Sequence, residues 1–380
     1  MKILYITTVD CSQDSGVRKK IFGQANAMKR ADIDIKIASP RESRISITDG
    51  GKVIDLESYS SNGPLRYFNM SSKLYSCAYK YIEENNFDGV FIRYSISDWS
   101  FIKMLRKLKA LGLKIFIEIP SYPYDLEYAN KQWYKKIGLY IDMVFRKQLY
   151  KYVDTIFTPS PEQKEIFGID TVYFENGVDL ASVPKRKYLG LRKDTLRFIG
   201  VANINAWHGY DRVIRGIAKY YKEGGEIDVI FNVVGEGVEL PNLKQITKDS
   251  KIEDKIIFHG KKYGKELDEI YDNSDIAVSS IGFFRLDSMM RTSLKTREAC
   301  LKAIPFISVK GDPIFDKDFR YQFLVEDRDI PIDIESIYNW FKELRADLYM
   351  TEMRKFAEKH LGWDTTFKDV ILKIKRRITK

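Results

Sequence analysis

The residues best suited to chemistry lie at 291–298, in the sequence Arg-Thr-Ser-Leu-Lys-Thr-Arg-Glu. An apolar strand is predicted before this stretch and another after it, so the segment is predicted to be a loop followed by a helix that begins at Ser293. The free N–H groups and the positive dipole end of such a helix suit a phosphate. Lys295 lies in its first turn, and Glu298 lies about one and a half turns along it, within reach of ribose hydroxyls. The stretch therefore predicts a nucleotide site.

The elements that must position these residues alternate between strands and helices along the whole chain. Such alternation is typical of βα units, in which a parallel sheet has helices on both faces. The predicted strands cover residues 3–9, 33–38, 89–92, 114–119, 155–157, 196–201, 227–235, 255–259, 275–279 and 305–309. The predicted helices include residues 18–30, 70–85, 100–111, 335–348 and 365–378.

Two domains are predicted, because a Pro- and Lys-rich segment at 182–192 separates two series of strands. The predicted fold class is α/β, with two Rossmann-like, doubly wound, parallel-sheet domains in tandem. We place the first domain at 1–185 and the second at 186–358. Ligands in such sheets bind beyond the carboxyl ends of the strands, so we expect the two domains to face a cleft that holds the site.

Composition excludes several classes of protein. With 44% apolar and 31% charged residues, the 380-residue chain has the composition of an ordinary globular protein rather than a disordered one. It contains no run of about 18 apolar residues, and residues 1–6 predict a first strand rather than a signal peptide. The three cysteines are far apart, which favours reduced thiols in the cytoplasm. No Cys/His spacing indicates a zinc site.

The net charge of +10 is concentrated in two segments. Residues 101–152 carry eleven basic and four acidic residues, and residues 354–380 carry nine and three, so the rest of the chain is slightly acidic. Both segments are also rich in aromatic and aliphatic residues, a mixture that suits an anionic membrane surface. Nucleic acid is the competing partner, but no recognised binding motif accompanies the charge. A solvated helix face is the third interpretation.

Taken together, the motifs resemble those of the group 1 glycosyltransferases, a retaining family with the GT-B fold, and in the first half those of its polysaccharide-assembly members. The resemblance extends over nearly the whole chain. It rests on the order and spacing of Ser15-Gly-Val-Arg-Lys-Lys-Ile21, Glu118-Ile-Pro-Ser-Tyr-Pro-Tyr-Asp125, Glu175-Asn-Gly-Val-Asp179, Trp207-His-Gly-Tyr-Asp-Arg-Val-Ile214, Phe258-His-Gly260 and Ser293-Leu-Lys-Thr-Arg-Glu298.

The resemblance implies that the second domain binds a nucleotide-sugar donor and that the first domain binds a saccharide acceptor. It implies a lipid-linked acceptor and a role in bacterial capsule, exopolysaccharide or cell-wall synthesis. It implies transfer with retention, UDP as the commonest carrier, no metal or other cofactor, and a C-terminal helix at 359–380 that crosses back to the first domain. The setting would be cytoplasmic or peripheral on the inner membrane face. The pairs Asp316-Lys-Asp318 and Asp327-Arg-Asp329 have the spacing of a metal site, but we interpret both as solvated turn residues.

Site residues follow from the matching positions. Glu298, Lys295, His208 and Asp125 are expected at the reacting centre, and Gly16, Asn203, Lys261, Arg291, Ser293, Leu294 and Thr296 at the donor. Arg18, Lys19, Tyr122, Tyr124 and Glu127 are expected at the acceptor. The structural alternatives are a turn glycine at 16, surface charge at 18 and 19, a hydrogen-bonded core histidine at 208 and simple loop packing at 121–127.

Three positions depart from the family pattern. Asn203 and His208 occupy positions where an Arg and a Lys are usual, and only a protonated His208 would supply charge. Met290 replaces the first of two paired glutamates, of which Glu298 is the second. Arg291, Lys295 or Arg297 would have to replace the lost charge. These departures leave open a catalytically silent protein that binds its ligand without turnover.

One helix has an ambiguous apolar face. Trp133, Ile137, Tyr140, Ile141, Val144, Phe145 and Leu149 recur at helical spacing, with Lys135, Lys136, Arg146 and Lys147 at other angles. Such a face either packs on its own domain or lies at a membrane interface. The sequence leaves both interpretations open.

Overall fold

The computed structural model describes residues 1–13, 15–60, 66–125, 133–160, 163–181, 183–187, 194–286, 292–315 and 319–379. The chain divides into two compact units. Unit 1 comprises Met1–Gly177 with Trp363–Lys380, and unit 2 comprises Val178–Gly362. The first division lies eight residues before the boundary expected after residue 185, and the second lies four residues after the one expected after residue 358.

Unit 1 is built on a nine-stranded sheet. Its strands are β1 (Lys2–Thr7), β2 (Asp34–Arg41), β3 (Arg44–Asp49), β4 (Lys52–Ser58), β5 (Gly89–Arg93), β6 (Lys114–Glu118), β7 (Thr155–Thr158), β8 (Glu165–Ile166) and β9 (Ile169–Tyr173). They are ordered β4-β3-β2-β1-β5-β6-β7-β9-β8. The six neighbouring strands β2-β1-β5-β6-β7-β9 pair in parallel. The remaining strands, β3, β4 and β8, pair antiparallel to their neighbours. The helices are α1 (Gly16–Arg30), α2 (Arg66–Asn85), α3 (Trp99–Ala110) and α4 (Trp133–Phe145), and a 3₁₀ segment, Arg146–Lys151, follows α4.

Unit 2 has a smaller sheet in which every described pair is parallel. Its strands are β10 (Thr195–Val201), β11 (Asp228–Val234), β12 (Ile256–Gly260), β13 (Ile276–Val278), β14 (Phe306–Ser308) and β15 (Gln322–Leu324). The order is β12-β11-β10-β13-β14-β15. Its helices are α5 (Tyr210–Lys222), α6 (Leu240–Asp249), α7 (Gly264–Asp272), α8 (Leu294–Leu301), α9 (Ile334–Lys342) and α10 (Ala346–His360). The fold class is confirmed: two Rossmann-like parallel sheets with helices between their strands.

The last two helices, α11 (Trp363–Thr366) and α12 (Lys368–Ile378), belong to unit 1. Trp363 anchors them, and only 2% of its side chain is exposed. Two glycines make room for the indole, since a Cβ at Gly23 would lie 2.1 Å from its Nε1 and one at Gly177 would lie 2.7 Å from its Cδ2. Phe367, Val370 and Ile374 continue the buried face along α12.

Some elements differ from those predicted, and the short strands β8, β9 and β15 were not predicted at all. The β3–β4 hairpin was not predicted, because β4 is an exposed edge strand with little apolar alternation. The single helix predicted at 335–348 is instead interrupted between α9 and α10. Phe341 of α9 and Tyr349 of α10 are both buried. Among the described residues, no helix combines the length and the apolar character needed to cross a membrane.

Candidate functional site

The carboxyl edge of the unit 2 sheet brings most of the predicted donor residues into one region. Strands β10 to β13 end there at Val201, Val234, Gly260 and Val278. Beyond them lie the loop that carries Asn203, a short 3₁₀ turn that ends at His208, and the first turn of α8. The backbone N–H groups of Ile281 and Gly282 donate to the carbonyls of His208 and Trp207, so the loop after β13 is fastened to this turn.

Helix α8 begins as predicted. Ser293 is its N-cap, and its hydroxyl accepts a hydrogen bond from the Lys295 amide at 3.3 Å. The Thr296 hydroxyl donates to the Ser293 carbonyl at 2.6 Å, so it supports the cap from within the helix. Leu294 is the first helical residue, and no acidic residue occupies the first turn. The positive end of the helix dipole is therefore not offset by a local carboxylate.

Arg297 holds this helix end in place, a role that its sequence position did not reveal. It is completely buried and donates to both carboxylate oxygens of Asp312, with Nη2 at 2.8 Å from Oδ1. Its Nη1 also donates to the Ser293 carbonyl at 3.3 Å. A buried bidentate pair has a fixed geometry, so it orients the cap residue itself. Of the three basic residues considered as substitutes for lost charge, Arg297 is thus already paired.

Lys295 is the cation of the described part of this helix that remains available for a ligand. It is half-buried, and its ammonium lies 3.5 Å from the Ser280 hydroxyl. Burial lowers the pKa of Lys295 to about 8, although the Glu298 carboxylate opposes that shift. At neutral pH the ammonium is therefore mostly charged, in a place where water screens it poorly. This environment strengthens any interaction it makes with an anion.

His208 is neutral. Its Nδ1 accepts a hydrogen bond from the Asn205 backbone at 3.0 Å, which assigns the ring proton to Nε2. Burial, and then the positive charge of Lys295, lower the pKa of His208 to about 2. A protonated His208 does not replace the family's lysine in this structure. The ring instead offers one neutral N–H donor.

Backbone contacts between loops make this edge rigid. A Cβ at Gly235, where φ is +123°, would lie 1.8 Å from the Ala202 carbonyl oxygen. The Gly235 amide donates to the Gly260 carbonyl at 2.7 Å. Asn203 is exposed beside this contact, and the exposed ammonium of Lys261 lies 3.2 Å from a Glu236 carboxylate oxygen. Both side chains are accessible to a ligand.

Some predicted residues lie outside the described residues. These are Arg291 and Glu127, together with Met290 and the pair Asp316 and Asp318. The other carboxylate pair is engaged: Asp327 accepts from the Phe284 amide, and Asp329 forms ion pairs with Arg215 and Arg285. Within the described ranges, no group of three or more His, Cys, Asp or Glu is placed to hold a metal. The prediction of a metal-independent reaction stays a prediction.

In unit 1, α1 begins with an open N-terminal turn. Ser15 caps it by accepting from the Arg18 amide at 3.1 Å, and a Cβ at Gly16 would meet no atom within 4 Å. The Arg18 guanidinium donates from Nε to the Cys11 carbonyl at 3.0 Å and lies over Phe22. Lys19 is exposed. Gly16 and Lys19 are therefore accessible, whereas Arg18 also has a structural contact.

The loop after β6 is packed through its aromatic and acidic residues. Tyr124 is buried, and its hydroxyl donates to the Asp142 carboxylate at 2.6 Å. Asp125 accepts two hydrogen bonds from Arg146, at 2.6 Å and 3.1 Å. Tyr122 is half-buried, with its amide bound to the Ser160 hydroxyl. Tyr124 and Asp125 are therefore held by packing contacts, and Tyr122 is half-buried, so their contact with an acceptor stays a prediction.

A buried charge cluster at the ends of β5 and β6 was not predicted as a unit. Glu118 is completely buried, and one of its carboxylate oxygens lies 2.8 Å from the Lys20 ammonium and 2.9 Å from the Arg93 guanidinium. Tyr5 donates to the other oxygen at 3.1 Å. Burial alone would raise the pKa of Glu118, but the two cations outweigh it and lower the pKa to about 2. A carboxylate that ends an apolar strand was the only sequence signal.

Comparison with known proteins agrees with this geometry. Residues 184–282 match the model of the family described as glycosyl transferases group 1. A search of curated proteins found no match.

Solved structures share the fold over essentially whole chains. A glycosyltransferase from Rickettsia africae ESF-5 is 16% identical with a TM-score of 0.65, covering 100% of this chain and 99% of that one. HepE from Anabaena in complex with UDP is 12% identical with a TM-score of 0.65, covering 99% and 100%. The catalytic domain of starch synthase IV from Arabidopsis thaliana, bound to ADP and acarbose, is 13% identical with a TM-score of 0.69, covering 100% and 99%. Residues 184–282 of this chain are thus similar to the group 1 glycosyl transferases, and the whole chain shares the GT-B fold of these solved proteins.

Proposed function

We propose that the protein transfers a sugar from a nucleotide diphosphate sugar, specifically a UDP-sugar, to a lipid-linked saccharide acceptor. The proposed setting is bacterial capsule, exopolysaccharide or cell-wall glycan synthesis, with retention of configuration. The observation that carries the donor assignment is the start of α8, where a capped helix end, Lys295 and the Nε2–H of His208 occur at one edge of a parallel sheet. Two solved proteins of the same fold are bound to UDP and to ADP, which supports a nucleotide-containing donor for this chain.

The proposed reaction breaks the bond between the anomeric carbon and the leaving phosphate oxygen and forms a bond from that carbon to an acceptor hydroxyl oxygen. The acceptor proton passes to the departing diphosphate on the same face of the sugar. Negative charge therefore grows on the diphosphate, and donors that are already oriented lower the barrier. The proposed hydrogen-bond donors to the diphosphate are Lys295, the Nε2–H of His208 and the free amides of α8. The Glu298 carboxylate is proposed to accept hydrogen bonds from hydroxyls of the ribose or the transferred sugar.

Metal independence belongs to this proposal. The diphosphate charge would be shared by the Lys295 ammonium, one neutral ring N–H and the end of a helix dipole. In unit 1, Gly16, Lys19 and Tyr122 are the accessible residues among those proposed to contact the acceptor.

Calorimetric titration with UDP, GDP and ADP in a metal-free buffer tests the donor site. We expect saturable binding of one nucleotide, and about tenfold weaker binding for Glu298→Ala, because a charged hydrogen bond to ribose is lost. Glu223→Ala is the matched control, since Glu223 is an exposed helix carboxylate of the same unit. Absence of binding by all three nucleotides, with the chain folded, would overturn the donor assignment.

A catalytically silent binding protein is the second candidate. It is favoured by the neutral His208 and the uncharged Asn203 at positions where the family carries cations. This candidate would be supported if the protein bound a nucleotide but neither transferred a sugar to any saccharide acceptor nor hydrolysed the donor. A single measured transfer product would exclude it.

Membrane attachment is supported by the orientation of α4. Its apolar side chains Ile137, Tyr140 and Val144 are 46%, 70% and 63% exposed, so this part of the predicted stripe does not pack on unit 1. Lys136 and Lys147 are exposed as well. The opposite face of the helix is turned towards the interior of unit 1, where Asp142 is buried. We propose that this face, with its lysines, contacts an anionic lipid surface.

Sedimentation with vesicles tests this face of α4. We expect binding to vesicles of equal parts phosphatidylcholine and phosphatidylglycerol, and about tenfold weaker binding for Tyr140→Glu, because a charge replaces a ring that would lie at the interface. Val238→Glu is the control, since Val238 is 82% exposed but lies in unit 2. Equal loss in both variants would contradict the proposal, as would salt-dependent binding to nucleic acid without binding to vesicles.

A further inference from the structure

A cavity of about 530 Å³ lies on one face of the unit 2 sheet, between strands β10 to β12 and helix α7. Its size is that of a small-molecule site. Arg197, Asp228 and Ile257 line it from the amino-terminal halves of their strands, whereas the donor residues lie beyond the carboxyl ends. None of the residues that line this cavity belongs to the proposed donor or acceptor set. It is therefore separate from the site described above.

The sheet face beneath the cavity is unusually polar. Strands of a parallel sheet are normally apolar on both faces, because helices cover both. In β11 the residues of one face, Val229, Phe231 and Val233, follow this rule. On the other face Asn232 lies beside His259 of β12, and Arg197 projects from β10. Such residues are poorly suited to an apolar helix cover and well suited to a polar ligand.

Most of the polar groups around the cavity already have partners. Asp228 pairs with Lys255 at 2.9 Å, and Glu266 pairs with Lys262 at 3.0 Å. Asn232 donates to the Phe198 carbonyl and accepts at 2.8 Å from Nε2 of His259. These contacts hold the floor and the rim of the cavity in one arrangement. They also balance the charge of two of its acidic residues.

Arg197 is the exception. Its backbone amide is bound to Asp275, but the buried Nε of its guanidinium has no hydrogen-bond partner in the described part of the chain. A buried donor without a partner costs free energy, and an arginine next to a cavity regains it by binding an anion. The planar guanidinium fits a carboxylate with two parallel hydrogen bonds.

We propose that this cavity binds a carboxylate-bearing sugar residue, such as a uronate, of a saccharide chain. Arg197 holds the carboxylate, and the carboxylate of Glu269 and the amide of Asn273 meet sugar hydroxyls. Ile230 and Ile257 contact the C–H face of the ring. The residues that line the cavity include no Phe, Tyr or Trp on which a nucleobase would stack.

This inference rests on the proposed function, because it places an acidic glycan next to an enzyme that builds one. A saccharide chain held on unit 2 at a second point would stay at the protein between transfers. Its effective concentration would rise without any change in the donor site. The site therefore concerns which glycan the enzyme extends, not how the sugar bond forms.

Ligand-observed NMR of the full chain with glucuronate and with glucose tests the site. We expect glucuronate to bind with a Kd of about 1 mM and glucose about tenfold more weakly, since only glucuronate has the charged partner for Arg197. Arg197→Met should reduce glucuronate binding about tenfold and leave glucose binding unchanged. Saturating UDP should not displace glucuronate. Nucleotide binding by each variant, measured separately, reports that unit 2 is folded and that the donor site is intact.

A second pair of variants tests the cavity without touching Arg197. Ile257→Glu places a negative charge at the cavity, and Ile54→Glu makes the same change on β4 of unit 1, where the isoleucine is similarly exposed at 39% against 43%. We expect only Ile257→Glu to weaken glucuronate binding. Equal affinity for both sugars, displacement by UDP, or unchanged binding in both cavity variants would overturn the inference. If the protein bound no nucleotide or transferred no sugar, but still bound glucuronate through Arg197, the result would count against the donor proposal alone.

Discussion

Lys295→Met is expected to reduce sugar transfer by about 10²–10³-fold, the usual effect of removing one oriented donor from a developing negative charge. Lys295 is the available ammonium in the described part of the first turn of α8, and its partial burial leaves little water to replace it. The loss should appear mainly in kcat, because the diphosphate charge grows towards the transition state. Steady-state kinetics with the identified donor measure it.

The matched control for this substitution is Lys265→Met, which removes an exposed lysine from α7 of the same unit. We expect its kinetics to match those of the wild type. If Lys295→Met lowered transfer by less than about threefold, the main charge at the diphosphate would have to come from another residue, and the assignment of α8 would be wrong.

The pH dependence of nucleotide binding gives an independent test of Lys295. Its pKa in the folded protein is about 8, below the ordinary lysine value of 10.5, so its positive charge is lost as the pH rises through about 8. Affinity for the nucleotide should therefore decline above about pH 8, by up to about tenfold per pH unit, and Lys295→Met should remove this decline. Bound diphosphate favours the charged form, so the midpoint in the complex will lie higher. Calorimetric titrations over the alkaline range measure both proteins.

Glu118→Gln is expected to destabilise unit 1 by about 3–5 kcal/mol, the usual cost of leaving buried charges without their partner. Lys20 and Arg93 both contact the Glu118 carboxylate, and Gln keeps the shape of the side chain but removes the charge. The loss therefore reports electrostatics rather than a cavity. Urea unfolding gives the free energy. Hydrogen exchange of peptides from β1, β5 and β6 shows whether the loss is local to this cluster.

Glu57→Gln is the control, because Glu57 forms ion pairs with Lys73 and Lys80 in an exposed part of the same unit. Exposed pairs contribute little to stability, so we expect almost no change. Similar losses in the two variants, or protection unchanged in β5 and β6 of Glu118→Gln, would show that the buried cluster is not what stabilises these strand ends.

The cluster also predicts how stability depends on pH. The pKa of Glu118 is about 2 when folded and near 4.5 when unfolded, so its stabilisation is complete above about pH 4.5 and is lost as the pH falls towards 2. That difference corresponds to about 3 kcal/mol. Lys20 changes stability in the same direction at alkaline pH: burial lowers its pKa to about 8, so stability rises as the pH increases from about 8 to 10.5. In the wild type the free energy of unfolding should fall as the pH decreases from about 4.5 to 2, and in Glu118→Gln this decrease should be absent.

Some parts of the site followed from local sequence alone. The start of α8 at Ser293, with Lys295 in its first turn, was predictable because capping and helix dipoles depend on neighbouring residues. The alternation of strands and helices likewise predicted both Rossmann-like units, since periodicity reports which faces are buried. The β3–β4 hairpin escaped because its edge strand is held by pairing across the sheet rather than by an apolar pattern.

Other properties depend on contacts between distant residues. Nothing near His208 in the sequence indicates that it is neutral, because its pKa is set by burial and by Lys295, 87 positions away. The sequence pattern of the stripe on α4 did not reveal which of its residues are exposed, whereas the fold places Tyr140 outside and Asp142 inside. The sequence by itself determined the fold class and the capped helix and indicated the resemblance to a family, because these depend on local periodicity and motif order. Only the tertiary structure decided which ionisable side chains are available to a ligand, which form ion pairs and which are neutral, because burial and long-range proximity set their electrostatic energy.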